Sequence, residues 1–512
     1  MTPQYDVAII GFGPTGAIAA GLLGQAGLRT LVVDRSTTVW DKPRAIAIDH
    51  EIMRLMQNMG VAGPVLPHVA PFPASEHFGM DGQLIRRVDM VAPPYPLGYT
   101  PSMVFTQPPV EAALRAHAEA FATVDVHLGV TFTGLEQDAD RATLHLTRPD
   151  GALWTVTAET VIGCDGASSA VRQHLGIAYE DLVFDEPWMV IDVRVGDTGL
   201  AKLPQTAAQF CEPARPATFI IGPGNHRRWE IMLLPGEDPR AMEAPAEIWQ
   251  LLSRWIGPED GTLWRANSYR FHALLAERWR QGRVFIAGDA AHQQPPFIGQ
   301  GMCQGMRDAA NLVWKLVAVH RGEASDTLLD SYETERKQHV RTLTTRIKAI
   351  GHAICERDPA AARARDTALL ASGGGRAPVV TRQEIVPPLE AGLLGPSHAA
   401  RGTLFPQPWI QNTGGVQRLD EQVGVGWRLV WDGRCAAEPA AHAMRTVVVG
   451  GTGPASIAES EGVLAHWFDR HACVGAIVRP DHYVYAAIQH ETDAGPLLAE
   501  LQTRLSNSRV SP

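Results

Sequence analysis

Residues 283–316 place an acidic side chain and several glycines where they can hold a phosphorylated, hydroxyl-rich cofactor. Val284–Ala287 is a short apolar run that predicts a buried strand, and Gly288 and Asp289 follow it directly. A loop, Pro295–Gly301, then leads into a predicted amphipathic helix. The Asp289 carboxylate can accept hydrogen bonds from ribityl or ribose hydroxyls, and free amides at a helix N-terminus favour an anionic or carbonyl-rich group. We therefore interpret the segment as part of a cofactor site.

A motif of the same kind, the first in chain order, lies at the N-terminus. Tyr5–Ile10 predicts a buried parallel strand, Gly11–Gly16 (GFGPTG) is a GxGxxG sequence, and a helix is predicted over Thr15–Gln25. A second strand, Thr30–Val33, ends at Asp34, whose carboxylate can accept from adenosine ribose hydroxyls. The glycines allow a tight turn, the approach of a pyrophosphate and close packing of the helix on the strand. The unit predicts a dinucleotide site, but by itself it does not separate FAD from NAD.

The second motif in chain order is Thr160–Leu175 (TVIGCDGASSAVRQHL), where a strand end is followed by a turn at Asp165 and a helix that carries Arg172, and residues 283–316 form the third motif. The order GxGxxG, CDGxxSxxR and AGDAAH with its Pro-Gly loop resembles the single-component FAD-dependent aromatic hydroxylases, the superfamily of 4-hydroxybenzoate hydroxylase. The resemblance extends over about Tyr5–Ile350. Within the superfamily, four segments are similar to the 3-(3-hydroxyphenyl)propionate hydroxylase branch: residues 43–60, 226–237, 269–279 and 299–316.

The resemblance implies a fold and a set of cosubstrates. The expected fold class is α/β (α+β overall), with a Rossmann-like FAD domain, an inserted substrate-binding sheet and a C-terminal thioredoxin-like domain. The expected cofactors are FAD, NADH or NADPH as a transient cosubstrate, and O2. The reaction implied is oxygen transfer from a flavin C4a-hydroperoxide to a small aromatic substrate, a phenolic acid of the 3-(3-hydroxyphenyl)propionate type.

The residues expected to contact FAD come from the three motifs and from two further positions. Arg44 follows the second strand, where the family places an arginine near the pyrophosphate and the mobile flavin. Gln107 opens a predicted helix that resembles a flavin-contacting element of the family. The amides of Gly301 and Met302 are expected to face the N1–C2=O edge of the flavin, where negative charge builds on reduction. The full set is Gly11, Gly13, Pro14, Thr15, Gly16, Asp34, Arg35, Arg44, Gln107, Asp165, Gly288, Asp289, Pro296, Gly299, Gly301 and Met302.

Three residues are candidates for the chemistry on the substrate. Pro296 aligns with the family proline beside the reactive flavin edge, and its neighbours form an apolar wall that is expected to exclude water. Tyr269 and His50 can relay the phenol proton. The family branch usually has an acidic residue at the position of His50, which weakens that assignment.

Substrate recognition is less decided by the sequence. The residues expected to contact the substrate are Gln294, Phe297, Tyr269 and Arg270. Three arginines are equal candidates to bind a substrate carboxylate, namely Arg86, Arg228 and Arg270. No metal site is expected.

Composition excludes several classes of protein. With 512 residues, 45% hydrophobic and 20% charged, the chain predicts a packed globular protein of two or three domains. A net charge of −10 argues against nucleic acid or an anionic membrane as a partner. Six scattered cysteines without a CxxC pair predict reduced thiols. The first strand leaves no room for a signal peptide, and no apolar run is long enough to span a membrane. We expect a cytoplasmic protein, with a homodimer left open.

The order of motifs divides the chain into seven segments. They are 1–75 (FAD domain, first part), 76–105 (excursion to the substrate domain), 106–186 (FAD domain, second part), 187–277 (substrate-binding domain), 278–356 (FAD domain, third part, with a long helix), 357–377 (linker) and 378–512 (thioredoxin-like domain lacking CxxC). Two alternative functions remain at this stage. One is a tailoring hydroxylase of a polyketide- or antibiotic-type aromatic, and the other is an FAD-binding protein without catalytic activity.

Overall fold

The structure is a computed structural model that describes residues 4–382, 386–412, 415–435, 444–451 and 456–506. Residues 1–3 of the predicted segment 1–75 and residues 507–512 of the predicted segment 378–512 lie outside the described ranges. The α-helices are α1 (Pro14–Ala26), α2 (His50–Asn58), α3 (Ala62–Val65), α4 (Gln107–Glu119), α5 (Ala170–His174), α6 (Asp197–Leu200), α7 (Pro245–Leu252), α8 (Gly301–His320), α9 (Asp330–Ile354), α10 (Pro359–Ser372), α11 (Leu419–Val423), α12 (Val463–His471) and α13 (Ala494–Ser506).

The strands are β1 (Tyr5–Ile10), β2 (Thr30–Asp34), β3 (Ala47–Asp49), β4 (Val69–Pro71), β5 (Ser75–Phe78), β6 (Leu84–Asp89), β7 (Ser102–Phe105), β8 (Val124–Leu128), β9 (Thr131–Gln137), β10 (Ala142–Thr147), β11 (Leu153–Gly163), β12 (Tyr179–Val195), β13 (Ala207–Phe210), β14 (Ala217–Ile221), β15 (His226–Met232), β16 (Gly261–Ala276), β17 (Arg280–Gln281), β18 (Val284–Ile286), β19 (His292–Gln293), β20 (Val379–Thr381), β21 (Trp409–Asn412), β22 (Gly415–Arg418), β23 (Arg428–Asp432), β24 (Arg445–Val449), β25 (Ser456–Glu459), β26 (Gly475–Val478) and β27 (Val484–Ile488).

The first sheet is parallel at its centre and brings the three motifs to one edge. Strands β18, β11, β1, β2 and β8 lie side by side in that order and run in the same direction. Ile10 pairs with both Val33 and Gly163, and Gly163 pairs with Ile286. Because the carboxyl ends of parallel strands meet at one edge, the turns that follow these four residues lie next to each other. This is where open α/β sheets bind their ligands.

The second sheet has nine strands, in the order β19-β16-β12-β15-β14-β13-β5-β6-β20. Its outer face is apolar and packs on α7, through residues such as Ile191 and Trp229 against Ile248. Its inner face packs on the FAD domain, where Trp188 and Met232 cluster with other apolar residues. Strands β5 and β6 come from the proline-rich excursion and extend the sheet beyond β13, and β20 is its last strand.

The segment 357–377, expected to be a linker, holds the 14-residue helix α10. Alanine and arginine are strong helix formers, the Asp358 side chain caps the helix by accepting from the Ala361 amide, and the three glycines come after its end. Asp366 of α10 accepts from the Met80 amide, and β20 then pairs with β6. The linker prediction was wrong, since this segment is part of the substrate domain.

The C-terminal sheet has seven strands, in the order β22-β21-β25-β24-β23-β26-β27. Strand β23 is parallel to β24 and antiparallel to β26, and β26 is antiparallel to β27. The thioredoxin-like character of this domain stays a prediction. Within the described ranges, no helix combines the length and the apolar character needed to cross a bilayer.

A buried cluster of charges joins the C-terminal domain to the long helices. Arg479 donates to both carboxylate oxygens of Glu335 on α9, and Lys315 on α8 donates to the same carboxylate at 2.8 Å. Burial alone would raise the pKa of Glu335, but Arg479 and Lys315 outweigh it and lower that pKa to about 2. The cluster is therefore a fully paired ionic contact between domains.

We expect Arg479→Met to lower the free energy of the transition that separates the C-terminal domain by about 3–5 kcal/mol, because the carboxylates of Glu335 and Asp481 would lose a buried cationic partner. Urea unfolding followed by tryptophan fluorescence measures this. Arg363→Met is the control: its ion pair with Asp81 is exposed on both sides and should contribute about 1 kcal/mol or less. Equal effects of the two variants would contradict this account of the junction.

Candidate active site

The first turn at the sheet edge is closed by the second motif. Gly11 has φ +101°, and a Cβ placed there would lie 2.4 Å from the carbonyl oxygen of Cys164. The Asp34 carboxylate accepts from the amides of Phe12 and Ser36, each at 2.7 Å. A carboxylate oxygen can accept more than one hydrogen bond, so Asp34 keeps capacity for a ribose hydroxyl while it holds the turn.

The glycines of the first motif have separate roles. A Cβ on Gly16 would lie 2.0 Å from the Gly11 carbonyl oxygen, so Gly16 is required for the helix to pack on the strand. A Cβ on Gly13 would meet no protein atom within 4 Å. Pro14 occupies the first helical position of α1, and no side chain caps this helix. The open space at Gly13 therefore faces uncapped helix amides, which suits a pyrophosphate.

Asp165, in the second motif, has one satisfied and one free oxygen. Its Oδ2 accepts from the Val171 amide at 3.1 Å. Its Oδ1 is buried, and no described residue donates to it. Arg172 of the same motif stacks over the Tyr179 ring at 3.9 Å, and the Tyr179 hydroxyl donates to the carbonyl of Asp289 at 3.1 Å. The second motif thus positions the third.

The turn at Gly288 is built by residues that sequence reasoning missed. Gly288 has φ +63°, and the Thr15 side chain fits between it and Gly305 of α8. Asp308 accepts from the Gly288 amide at 3.0 Å and from His292 Nε2 at 2.7 Å. Sequence offered one signal, a glycine at position 305 inside a helical pattern, which indicates a close backbone approach.

Asp289 projects from this turn into the cleft. Its side chain is exposed to the cleft, yet protein surrounds the cleft on several sides, and this desolvation raises the pKa of the carboxyl. Nearby His292 and Arg44 oppose the rise, whereas Asp308 adds to it. An acceptor in such a position gains from hydroxyl donors, which fits the predicted contact with a ribityl chain.

The Pro-Gly loop leads into α8 without a side-chain cap. Gly299 has φ +65°, and a Cβ there would lie 2.4 Å from the Ala47 Cβ. The first turn of α8, Gly301 and Met302, therefore presents free amides. Both amide atoms of Gln294, beside Gly301, are buried without a partner among the described residues.

These features fit FAD. Asp165 Oδ1 and the Gln294 amide are buried polar atoms that require partners from outside the protein. The open space at Gly13 and the uncapped ends of α1 and α8 match a pyrophosphate and a carbonyl-rich ring. Asp34, Asp289 and the α8 amides can hold the ribose, the ribityl chain and the pyrimidine edge respectively. Pro14 starts helix α1, and the Thr15 side chain packs between Gly288 and Gly305.

The Arg44 loop is held from two sides. Gln107 Oε1 accepts from the amides of Arg44 and Ala45, at 3.0 and 2.7 Å. From the substrate sheet, Arg228 donates to the Arg44 carbonyl at 2.8 Å, and Arg265 donates to the Pro43 carbonyl. The structure thus gives Gln107 a positioning role beside any flavin contact. The Arg44 side chain itself is exposed over the Trp40 ring. No described contact defines a role for Arg35, which is exposed.

A cross-strand row of polar side chains runs along the inner face of the substrate sheet. Pairing places these residues directly opposite one another, in the order Glu230, Thr218, Gln209, His77 and Arg86. We call this set the polar row. Apolar clusters lie on both sides of it. Met232 belongs to the cluster with Phe297 and Ile298, and Ile220 belongs to the cluster with Phe72.

Two of the three predicted catalytic residues, Tyr269 and Pro296, lie at this face or directly beside it. Phe297 packs edge-on against Trp188 and Phe271, and Pro296 precedes it, so the apolar wall adjoins the sheet. The Tyr269 hydroxyl accepts from Arg265, and the side chain is 40% exposed. His50 begins α2, its Nδ1 is buried without a described partner, and burial lowers its pKa to about 4. His50 is therefore neutral near neutral pH.

Arg270, predicted to bind substrate, lies elsewhere. Successive side chains of a strand alternate between faces, so Arg270 points away from the face that carries Tyr269. It is exposed and pairs with Asp185. Of the three arginines that were candidates to bind a substrate carboxylate, Arg228 is also already paired, because it donates two hydrogen bonds to Asp192. Among the described residues, Arg86 has no carboxylate in ion-pair contact, and burial lowers its pKa.

Arg382 is a further cation that sequence reasoning missed. It follows β20, donates to the Ile298 carbonyl at 2.5 Å and stacks over the Phe72 ring at 4.6 Å. Burial lowers its pKa to about 10, although Asp49 partly opposes the shift. In the part of the chain that the structure describes, no carboxylate forms an ion pair with it. Its position bridges the two apolar clusters beside the polar row.

Comparison with known proteins identifies the family. Residues 4–347 match the model of the FAD binding domain, and residues 402–504 match that of the HcaD C-terminal domain. A probable NADH-specific resorcinol 4-hydroxylase of Rhodococcus jostii (strain RHA1) is 35% identical over 511 residues, covering 97% of this chain and 94% of the relative. The chain belongs to the FAD-dependent aromatic hydroxylases. A 3-(3-hydroxy-phenyl)propionate/3-hydroxycinnamic acid hydroxylase 2 of Burkholderia vietnamiensis (strain G4 / LMG 22486) is 32% identical over 532 residues, covering 96% and 94%.

Solved structures share the fold of this hydroxylase over nearly the whole chain. The flavin-dependent monooxygenase PieE, in complex with FAD and substrate, superposes with a TM-score of 0.82 at 22% identity and covers 98% of this chain and 99% of its own. Aklavinone-11 hydroxylase with FAD and aklavinone gives 0.80 at 24% identity, covering 99% of each chain. The protein is a monooxygenase with FAD as cofactor, as the three motifs predicted.

Gly13→Val should abolish retention of FAD and leave the fold intact. The new side chain meets no protein atom at its Cβ, so it occupies only the space assigned to the pyrophosphate. Flavin absorbance per polypeptide and circular dichroism measure the two effects. Gly16→Val is the matched contrast and should lose soluble protein, since its Cβ would overlap the Gly11 carbonyl. Full flavin loading of the Gly13 variant would move the pyrophosphate elsewhere.

Asp289→Asn should weaken FAD binding by about 1–3 kcal/mol, because one charged acceptor for a hydroxyl is lost. Titration of apoprotein with FAD, followed by flavin fluorescence, gives the affinity. Asp326→Asn serves as a control, since Asp326 lies in an exposed ion pair with Arg280. An unchanged affinity for the Asp289 variant would assign recognition of the ribityl chain to other residues.

Proposed function

We propose that this hydroxylase acts on a monocyclic phenol that carries an acidic side chain, of the 3-(3-hydroxyphenyl)propionate type. The overall reaction is phenol + NAD(P)H + H⁺ + O2 → dihydroxybenzene + NAD(P)⁺ + H2O. When bound, FAD takes two electrons from the nicotinamide and activates O2, so that one oxygen atom enters the ring. The protein binds, orients, excludes water and handles the phenol proton.

Two cations without a described carboxylate partner support a substrate with an acidic side chain. Arg86 and Arg382 lie at the inner face of the substrate sheet, and no described carboxylate pairs with either. A desolvated guanidinium without a counter-ion is costly, and a substrate carboxylate removes that cost with a bidentate contact. The relatives named for 3-(3-hydroxy-phenyl)propionate support the same substrate class.

A second candidate is a neutral dihydroxybenzene of the resorcinol type. The relative at 35% identity carries that substrate in its name. A buried carboxylate, Glu230, also lies on the inner face of the substrate sheet, and it suits a second hydroxyl better than a carboxylate. The alternative of a polyketide- or antibiotic-type aromatic has less support, because aklavinone-11 hydroxylase and the rebeccamycin biosynthetic enzyme RebC share only the fold, at 24% and 21% identity.

The local steps fall to named side chains. Pro296 and Phe297 supply the apolar wall that keeps water from the oxygen-transfer site. Tyr269, held by Arg265, lies where it can hydrogen-bond a phenol or the flavin, and neutral His50 can accept a hydrogen bond. Gln294 can bridge flavin and substrate through its unpartnered amide.

Six free cysteines support a cytoplasmic location, and the homodimer stays a prediction.

Substrate-dependent oxidation of NADH and NADPH, with product analysis, tests the proposal. The expected result is coupled hydroxylation of 3-(3-hydroxyphenyl)propionate with a kcat/KM at least tenfold above that of resorcinol. The methyl ester of the acid is the matched control, because it keeps the ring and removes the charge. Preference for resorcinol would establish the second candidate, and nicotinamide oxidation without hydroxylated product from any phenol would contradict both.

A further inference from the structure

Glu230, Thr218 and Gln209 of the polar row are buried, His77 and Arg86 are half-buried, and the row has few internal hydrogen bonds. Thr218 Oγ1 donates to Gln209 Oε1 at 2.6 Å. Among the described residues, no other side-chain hydrogen bond links members of the row. Polar groups on a largely buried surface gain from hydrogen-bond partners, so the row offers donors and acceptors to a ligand. An aromatic ring with polar substituents fits such a site, because apolar clusters lie on both sides of the row.

Glu230 is the acidic end of the row. It is 4% exposed, and no described residue donates a hydrogen bond to its carboxylate. The nearest cation, Arg228 Nη1, lies 4.0 Å from Glu230 Oε1 and donates instead to the Arg44 carbonyl. Glu230 therefore keeps acceptor capacity, and its neighbour Arg228 touches the loop that borders the flavin site.

The surroundings of Glu230 keep its proton exchangeable near neutral pH. Burial raises the pKa of the carboxyl to about 7, and the negative charge of Asp192 on β12 adds to the rise. Arg228 on the same strand and Arg265 on β16 oppose it. On the other side, β14 contributes the neutral hydroxyl of Thr218. A base with these properties is matched to a proton that must move at neutral pH.

We propose, given the function proposed above, that Glu230 is a catalytic base that accepts the proton of the substrate phenol. The O–H bond of the phenol breaks, an O–H bond forms on the Glu230 carboxylate, and the electron pair stays on the phenolate oxygen. The phenolate ring is then the stronger nucleophile towards the activated oxygen. After rearomatisation the proton passes from Glu230 to solvent, so the residue is regenerated.

The rate of hydroxylation should depend on pH through the ionisation of Glu230. Glu230 must be ionised to accept a proton, so hydroxylation falls tenfold per pH unit below a limb near pH 7. Glu230→Gln keeps the size of the side chain but cannot take the proton. We expect its kcat to fall about 10²–10⁴-fold and the limb near pH 7 to disappear. Binding of the phenol, measured by perturbation of the flavin spectrum, should change much less than kcat.

Glu76→Gln is the matched control. Glu76 lies on β5 of the same sheet and pairs with Arg87, on the opposite face from the polar row, so its pH profile should equal that of the wild type. A Glu230→Gln enzyme with unchanged kcat and an unchanged limb overturns the assignment. If that variant does not retain FAD, Glu230→Asp decides. A retained limb with a lower kcat supports the proposal, whereas an unchanged kcat and profile overturn it. Failure of the proposed function is distinguishable, because the wild type would then hydroxylate no phenol.

Discussion

Contact between backbone turns at one edge of the parallel sheet is the constraint on which the site depends. The turn at Gly11 approaches the carbonyl of Cys164 so closely that a Cβ has no room, and Thr15 fits against Gly288 and Gly305. Three segments that are far apart in the chain thereby share one cleft. The acids and amides of the motifs can act on a single dinucleotide only because these turns hold that mutual position.

Buried charges in this protein are usually paired, and this makes the exceptions informative. Arg307 on α8 binds Asp49 and Glu51, and Arg54 on α2 binds Asp420 of the C-terminal domain. These pairs fix the helices that begin at the cofactor cleft. Arg86 of the polar row and its neighbour Arg382 have no carboxylate in ion-pair contact among the described residues, and Glu230 only approaches Arg228, at 4.0 Å. A chain that elsewhere compensates its charges and does not do so in one pocket indicates that a ligand completes the pairing there.

Sequence predicted the elements governed by local pattern. Strand β1, strand β2 and helix α1 lie within one residue of the predicted bounds, and the three motifs identified the family. What could not be predicted depends on register and on long-range packing. The sequence analysis assigned Arg270 to the substrate site. The face on which its side chain lies depends on the pairing of β12 with β16, which the sequence does not reveal. Glu230 and Arg382 become neighbours of the site only through strands added from distant segments.

The late addition of β20 has a consequence for how the protein is made. The cofactor cleft uses residues up to the long helix α9, whereas the edge strand β20 and Arg382 come after α10. During synthesis, domains generally fold as their residues emerge, so the nucleotide cleft can form on the ribosome before the last edge of the substrate sheet exists. A nascent chain stalled after α9 would then bind FAD before its substrate-binding site is complete.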